Sequence, residues 1–267
     1  MELRDLFSVV RPVIGSVALR PLPGAPRFDG DLEEVVATAL EDARALEAGG
    51  VDGLSVENMG DAPFFKSEVP PETIASFGRL LAELRRQMQM PIGVNVLRND
   101  GRAALALAQA FGANFIRVNV LTEAYATDQG IIEGVGADLM RVRRLIRAER
   151  IAVFADVHVK HATPMLDRPI RESALDLVER GLADVLVVSG ARTGSPPSAE
   201  DLIGARAGAN VVIGSGLTAE NAGELLSVAD GAIVATTFRP GGDLSRGVDG
   251  ARVERLMNVV RRLRPPL

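Results

Sequence analysis

The chain has 267 residues with 35 acidic and 30 basic side chains, a net charge of −5, and a 47% hydrophobic composition that suits a globular protein with a full-sized core. It contains no cysteine, which excludes disulfides, thiolate metal sites and a cysteine nucleophile. No basic tract points to nucleic acid, and no apolar run approaches the roughly eighteen residues that a membrane-spanning helix needs.

The opening residues, from Met1 to Leu6, are charged and do not read as a signal peptide, so a cytoplasmic protein is expected, with membrane association at most peripheral. Eight short apolar runs then follow along the chain, at 13–17, 53–56, 92–96, 115–118, 152–156, 185–188, 211–213 and 232–234. They are rich in Val and Ile and mostly lack polar alternation, as expected for strands buried on both faces. Amphipathic patterns lie between them. Leu32, Val35, Val36, Ala39, Leu40, Ala43 and Leu46 share one helical face, and Asp31 with Glu34 reads as a capping box. Ile74, Phe77, Leu80, Leu81, Leu84 and Met88 repeat the pattern, as do Val253, Leu256, Met257, Val260 and Leu263. Gly49-Gly50, Gly112 and Gly181 each precede a strand, where a glycine suits a helix C-cap. The series predicts an α/β fold, a single (β/α)8 TIM barrel in one domain over 1–267; a doubly wound open sheet is the alternative.

Two connections exceed the usual length. The segment 19–30 carries Pro21, Pro23, Gly24, Pro26 and Gly30, and 121–136 carries Tyr125, Asp128 and Glu133. Both follow strands, so both are expected as loops over the C-terminal face, where barrel sites form.

The strand ends are polar. Glu57 ends the second, Asn95 lies in the third, and Arg117 and Asn119 in the fourth. The fifth runs into Asp156, His158, Lys160 and His161, which gathers both histidines of the chain. If this segment stays extended, Asp156, His158 and Lys160 face one side and His161 the other. Glu57, Asp156, His158 and Lys160 are the candidate catalytic residues: lysine as a base, Schiff-base amine or phosphate ligand, histidine as a proton shuttle. The alternative is an Asp156–Lys160 ion pair with the histidines satisfying local backbone. Glu57, Asp156 and His158 also suit a divalent metal, the one cofactor that the residues suggest. Asn95, Arg117 and Asn119 are candidates for binding substrate, or for a buried polar network filling the barrel. Ser189 and Gly190, after the sixth strand, open a polar loop over the ligand that leads to Ser198, an N-cap with Asp201 three residues on.

The seventh run ends in Gly214, Ser215, Gly216 and Thr218, and the eighth in Thr236 and Thr237. Small and hydroxyl residues at the last two strand ends suit a phosphate, which backbone N–H groups can approach closely. Arg239 and Gly241-Gly242 are candidates for the same anion. The expected partner is a phosphorylated small molecule, and a homo-oligomer is expected.

The segments 13–17, 21–24, 95–100, 115–119, 156–161, 189–194 and 214–216, in this order and spacing, resemble the BtpA family of (β/α)8-barrel proteins, which is named for a photosystem I biogenesis factor. The resemblance implies a barrel similar to ribulose-phosphate-binding barrels. Two functions compete: an enzyme or binder of a phosphorylated sugar or related metabolite, of isomerase, lyase or aldolase-like type, and a non-catalytic assembly factor for a membrane complex of photosystem I type, acting as a peripheral scaffold. A phosphoribosylanthranilate isomerase is disfavoured, because that family's general base is a cysteine.

Overall fold

The computed structural model describes residues 2–190 and 192–265. A short helix α1 (Leu3–Phe7) precedes strand β1 (Val13–Ala18), followed by α2 (Leu32–Gly49), β2 (Gly53–Glu57), α3 (Pro71–Gln87), β3 (Ile92–Asn95), α4 (Gly101–Phe111) and β4 (Phe115–Val118). Next come β5 (Ala124–Thr127), β6 (Gly130–Glu133), α5 (Gly136–Leu145), β7 (Ala152–Asp156), β8 (Ala162–Pro164), α6 (Ile170–Glu179) and β9 (Val185–Val188). The chain finishes with α7 (Ala199–Gly204), β10 (Asn210–Ile213), α8 (Ala222–Val228), β11 (Gly231–Val234) and α9 (Gly250–Leu263).

Eight of these strands pair in parallel and close a barrel in the order β1-β11-β10-β9-β7-β4-β3-β2. All eight expected strands are present, and the open sheet is excluded by the β1–β11 pairing of Val13 with Ala232, Ile14 with Ile233 and Gly15 with Val234. The expected long loop 121–136 is instead structured. β5 and β6 form a hairpin, and β8 from the next connection adds to its other edge. This small antiparallel sheet draws its strands from the segments after β4 and β7. The segment 19–30 stays irregular, as expected.

Caps set the helix ends. Asp31 accepts a hydrogen bond from Glu34 N at 3.0 Å, but the returning half of the expected box is missing because the Glu34 carboxylate pairs with Arg20. Ser198 and Asp201 complete both halves of theirs. Gly50 and Gly112 close α2 and α4 at φ of 89° and 71°, a region an L side chain seldom enters. The third expected glycine cap differs: α6 ends at Arg180, and Leu182 takes the positive φ of 57°.

Inside the barrel, alternate residues of each strand stack in layers. The lower layer is apolar: Ile14, Phe115, Phe154, Val185, Val187, Val212 and Ile233 form one cluster, closed beneath by Leu3 and Phe7 of α1. Phe115 stacks on Phe154 at 4.5 Å and meets Phe7 edge-on at 5.9 Å. Gly93 is small because a Cβ there would lie 2.0 Å from the Phe115 ring. Toward the C-terminal ends of the strands the interior turns polar, with Ser16, Glu57, Asn95, Arg117 and Asp156 all buried. No helix among the described residues is long and apolar enough to cross a membrane.

Candidate active site

The polar layer is organised by one guanidinium. Arg117 Nε donates to Asp156 Oδ1 at 3.0 Å, its Nη2 to Asp156 Oδ2 at 3.3 Å, and its Nη1 lies 3.8 Å from Glu57 Oε1. Burial works against the Arg117 charge, but Asp156 and Glu57 outweigh it and raise the guanidinium above its usual range. Ser55 Oγ donates to Glu57 Oε1 at 3.0 Å and Asn95 Nδ2 to Glu57 Oε2 at 3.3 Å. Asn119 Nδ2 donates to Asp156 Oδ2, which leaves Asn119 Oδ1 buried without a partner. The residues Asn95, Arg117 and Asn119 therefore hold the two carboxylates in place. This is the buried-network reading of those residues.

The metal set Glu57, Asp156 and His158 does not assemble. Among the described residues no three His, Asp or Glu side chains come together as a cation cage, and the charge between Glu57 and Asp156 is supplied by Arg117. The expected alternation along strand five also fails, because β7 ends at Asp156 and the chain bends at Val157–His158 and turns at Lys160–His161. His161 takes a φ of 53° there. Pairing of Ala162 on β8 with Thr127 on β5 anchors the far side of this turn. As a result Lys160 lines a cavity at the barrel mouth whose lining does not include His158, and His161 Nε2 reaches Thr193 Oγ1 at 3.0 Å on the loop after β9. Burial first, then the Arg98 charge, lowers the His161 pKa.

Lys160 Nζ donates to the Gly214 carbonyl at 3.5 Å, and no carboxylate among the described residues comes within ion-pair distance. The expected Asp156–Lys160 pair is therefore not formed. Burial, reinforced by Arg117, pulls the ammonium pKa from 10.5 to about 8, against the opposing pull of Asp156 and Glu57. Arg98 Nη2 donates to the Lys160 carbonyl, and burial lowers its pKa too.

Lys160, Glu57 and Arg117 line a narrow cavity of about 30 Å³ together with Gly214, Ser215, Gly216 and Thr236. Ser189 and Gly190 are not part of this lining. They support the turn from behind: Ser189 Oγ is buried without a partner, 2.2 Å from where a Gly214 Cβ would stand, and Gly190 packs on Ser195 and Pro196. The glycines of the turn serve this packing as well, since a Cβ on Gly216 would lie 2.2 Å from Pro196 N. Ser215 and Thr237 spend their hydroxyls on the carbonyls of Ser195 (2.8 Å) and Leu217 (2.7 Å). The N–H groups of Ser215, Gly216 and Leu217 have no acceptor among the described residues. Beyond Thr236 and Gly194, which line both spaces, opens a larger chamber of about 560 Å³ bounded by Thr218, Thr237 and Gly242.

Arg239 does not face this site. It is fully buried, paired to Asp42 at 2.8 Å and donating to the Ser16 carbonyl at 3.2 Å, so it ties the end of β11 to β1 and α2.

Residues 9–262 match the model of the BtpA family. The chain belongs to the BtpA family. It is 45% identical over 256 residues to the Photosystem I biogenesis protein BtpA of Synechocystis, covering 95% of this chain and 89% of that one. It is 43% identical over 259 residues to an uncharacterized protein of Pyrococcus furiosus, covering 96% and 97% of the two chains. A mitochondrial Caenorhabditis elegans protein is 32% identical, covering 97% and 96%. The fold is shared with solved barrels at low identity. Thiamine phosphate pyrophosphorylase from Pyrococcus furiosus matches at a TM-score of 0.57 and 17% identity, over 98% of this chain and 99% of that one. N-(5'-phosphoribosyl)anthranilate isomerase from the same organism matches at 0.58 and 13%, over 94% and 99%.

In this BtpA-family barrel the sequence does not mark out Ser16, Met59, Ile233 and Ala235, which line the cavity, or Ser55, which fixes Glu57. Ser16 and Ser55 carried a usable signal, since each is a lone hydroxyl inside an otherwise apolar strand. Met59 carried none.

Proposed function

We propose that the protein is an enzyme acting on a small phosphorylated metabolite, a sugar phosphate or close relative, as an isomerase or lyase. The observation that carries this reading is a run of N–H groups at Ser215, Gly216 and Leu217 without an acceptor among the described residues, on a turn whose Ser215 and Gly216 line the same cavity as Lys160, an amine without an ion pair there. Consecutive free backbone donors form an anion cradle that needs no side chain. Thr236, whose hydroxyl makes no hydrogen bond among the described residues, borders the same space. The phosphoryl group sits on this turn, on the side of Thr236 that opens to the larger chamber, and the reacting carbons extend from it toward Lys160 and Glu57. Glu57 or Asp156 moves a proton, and Arg117 and Lys160 stabilise developing oxyanion charge. The cavity at the amine holds about one water, so a ligand displaces the loop after β9 that Ser215 and His161 hold down.

Thermal denaturation with a panel of phosphate esters tests the anion site. A ligand at one hundred times its Kd stabilises by about 3 kcal/mol, which in a chain of 267 residues raises Tm by about 5 °C. Thr236→Asp places a carboxylate at the turn and abolishes that rise. The Gly216 position is less informative, because any side chain there collides with Pro196. No rise with any ester refutes the reading.

The name of the Synechocystis relative supports a second one, a peripheral scaffold for assembling a membrane complex. Ligand-independent capture of subunits of such a complex, with no ester stabilising the protein, would establish that instead.

A further inference from the structure

Of the thirty lysine and arginine residues in the sequence, only Lys66 and Lys160 are lysines. Everywhere else, the buried network included, the cation is a guanidinium. An ammonium differs from it in one respect that matters inside a closed site: it can lose its proton near neutral pH and become a nucleophile. Lys66 is exposed. Lys160 lines the cavity, with Arg117 and Arg98 as neighbouring cations and Glu57 and Asp156 as facing carboxylates, none of them within ion-pair distance. A lysine placed only to hold a phosphate gains from staying charged. This one is partly desolvated beside two guanidinium groups, which favours the free amine. The acceptor-free N–H groups already serve the anion.

We propose, resting on the phosphorylated-metabolite reading above, that the substrate is a phosphorylated aldehyde or ketone and that Lys160 Nζ condenses with its carbonyl carbon to form an imine. The ammonium first gives a proton to Glu57 or Asp156; the neutral amine then gives its lone pair to the carbonyl carbon, and the carbonyl π pair moves to oxygen, which takes up that same proton. The nitrogen passes a proton to Glu57 or Asp156, leaving a neutral carbinolamine. That carboxyl returns the proton to the hydroxyl, which departs as water while the nitrogen lone pair closes the C=N bond. One ammonium and one carbonyl thus become one iminium and one water, with nothing oxidised or reduced. The iminium then draws electrons from the neighbouring C–H or C–C bond, the step that an isomerase or a lyase each requires.

Borohydride trapping tests this on the full chain. The protein is incubated with dihydroxyacetone phosphate, glyceraldehyde 3-phosphate or ribulose 5-phosphate, reduced, digested and weighed peptide by peptide. The expected result is a secondary amine at Lys160, heavier by the carbonyl compound less one oxygen, at least tenfold above labelling of Lys66. Its yield rises with pH through about 8. Unphosphorylated glyceraldehyde labels Lys160 no more than Lys66, and Lys160→Arg removes the adduct while the rise in Tm with phosphate esters remains. Stabilisation by esters without any adduct at Lys160, or equal labelling of the two lysines, overturns the imine and leaves the anion site standing. Neither stabilisation nor adduct overturns both.

Discussion

Replacing Lys160 by Met should make the protein more stable at neutral pH. The substitution keeps the length of the side chain and removes the amine. In the folded protein the ammonium pKa falls from 10.5 to about 8, a shift worth about 3 kcal/mol against folding when the group is charged in both states. The sign follows from proton uptake. Between pH 8 and 10.5 the unfolded chain binds the proton that the folded protein has lost, so wild-type stability rises with pH across that window. The gain from Met is therefore full below pH 8, about 3 kcal/mol at pH 7, and about half that near pH 9.5. Urea denaturation of both proteins at several pH values from 6.5 to about 9.5 measures it, with a Tm rise of about 5 °C at the acid end. A variant no more stable than wild type at pH 7, or a gain that does not change with pH, would refute the desolvated-amine account on which the proposed chemistry depends. Activity disappears in the same variant, so stability and function move in opposite directions.

Arg117→Met leaves Glu57 and Asp156 buried without their shared cation, at a cost of about 3–5 kcal/mol that urea denaturation at pH 7 reads directly. Gly93→Ala drives a methyl into the Phe115 ring and costs about 1–3 kcal/mol, and Phe115→Leu in the same chain restores part of it, a coupling that a double-mutant cycle reads directly.

The barrel was legible because its strands are buried on both faces, so Val and Ile runs at 185–188 and 211–213 have no competing helical reading. Glu57, Arg117 and Asp156 were legible for the opposite reason, as charges where only apolar residues belong. The sheet of β5, β6 and β8 is hard to see in the sequence because its strands are four, four and three residues long and contribute just Tyr125, Ile132 and the partly buried Ala162 to its small core. Too few apolar positions recur there to show a period of two. The division of labour between Lys160 and His158 depended on where β7 stops, and that is set by β8 pairing with a hairpin formed some thirty residues earlier. Arg239 beside Gly241-Gly242 imitated an anion ligand; its partner Asp42 lies 197 residues away in sequence. Local pattern carries the scaffold, and long-range pairing decides which polar groups face the cavity.

The small antiparallel sheet restricts how this barrel can be changed. Its three strands come from two successive connections, and the central strand belongs to the first. Exchanging the first connection alone strips β8 of its one strand partner among the described residues; exchanging the second alone bares an edge of β5 to the solvent. The two segments are therefore one inheritable unit, to be grafted or lost together, although a stretch of the barrel itself separates them.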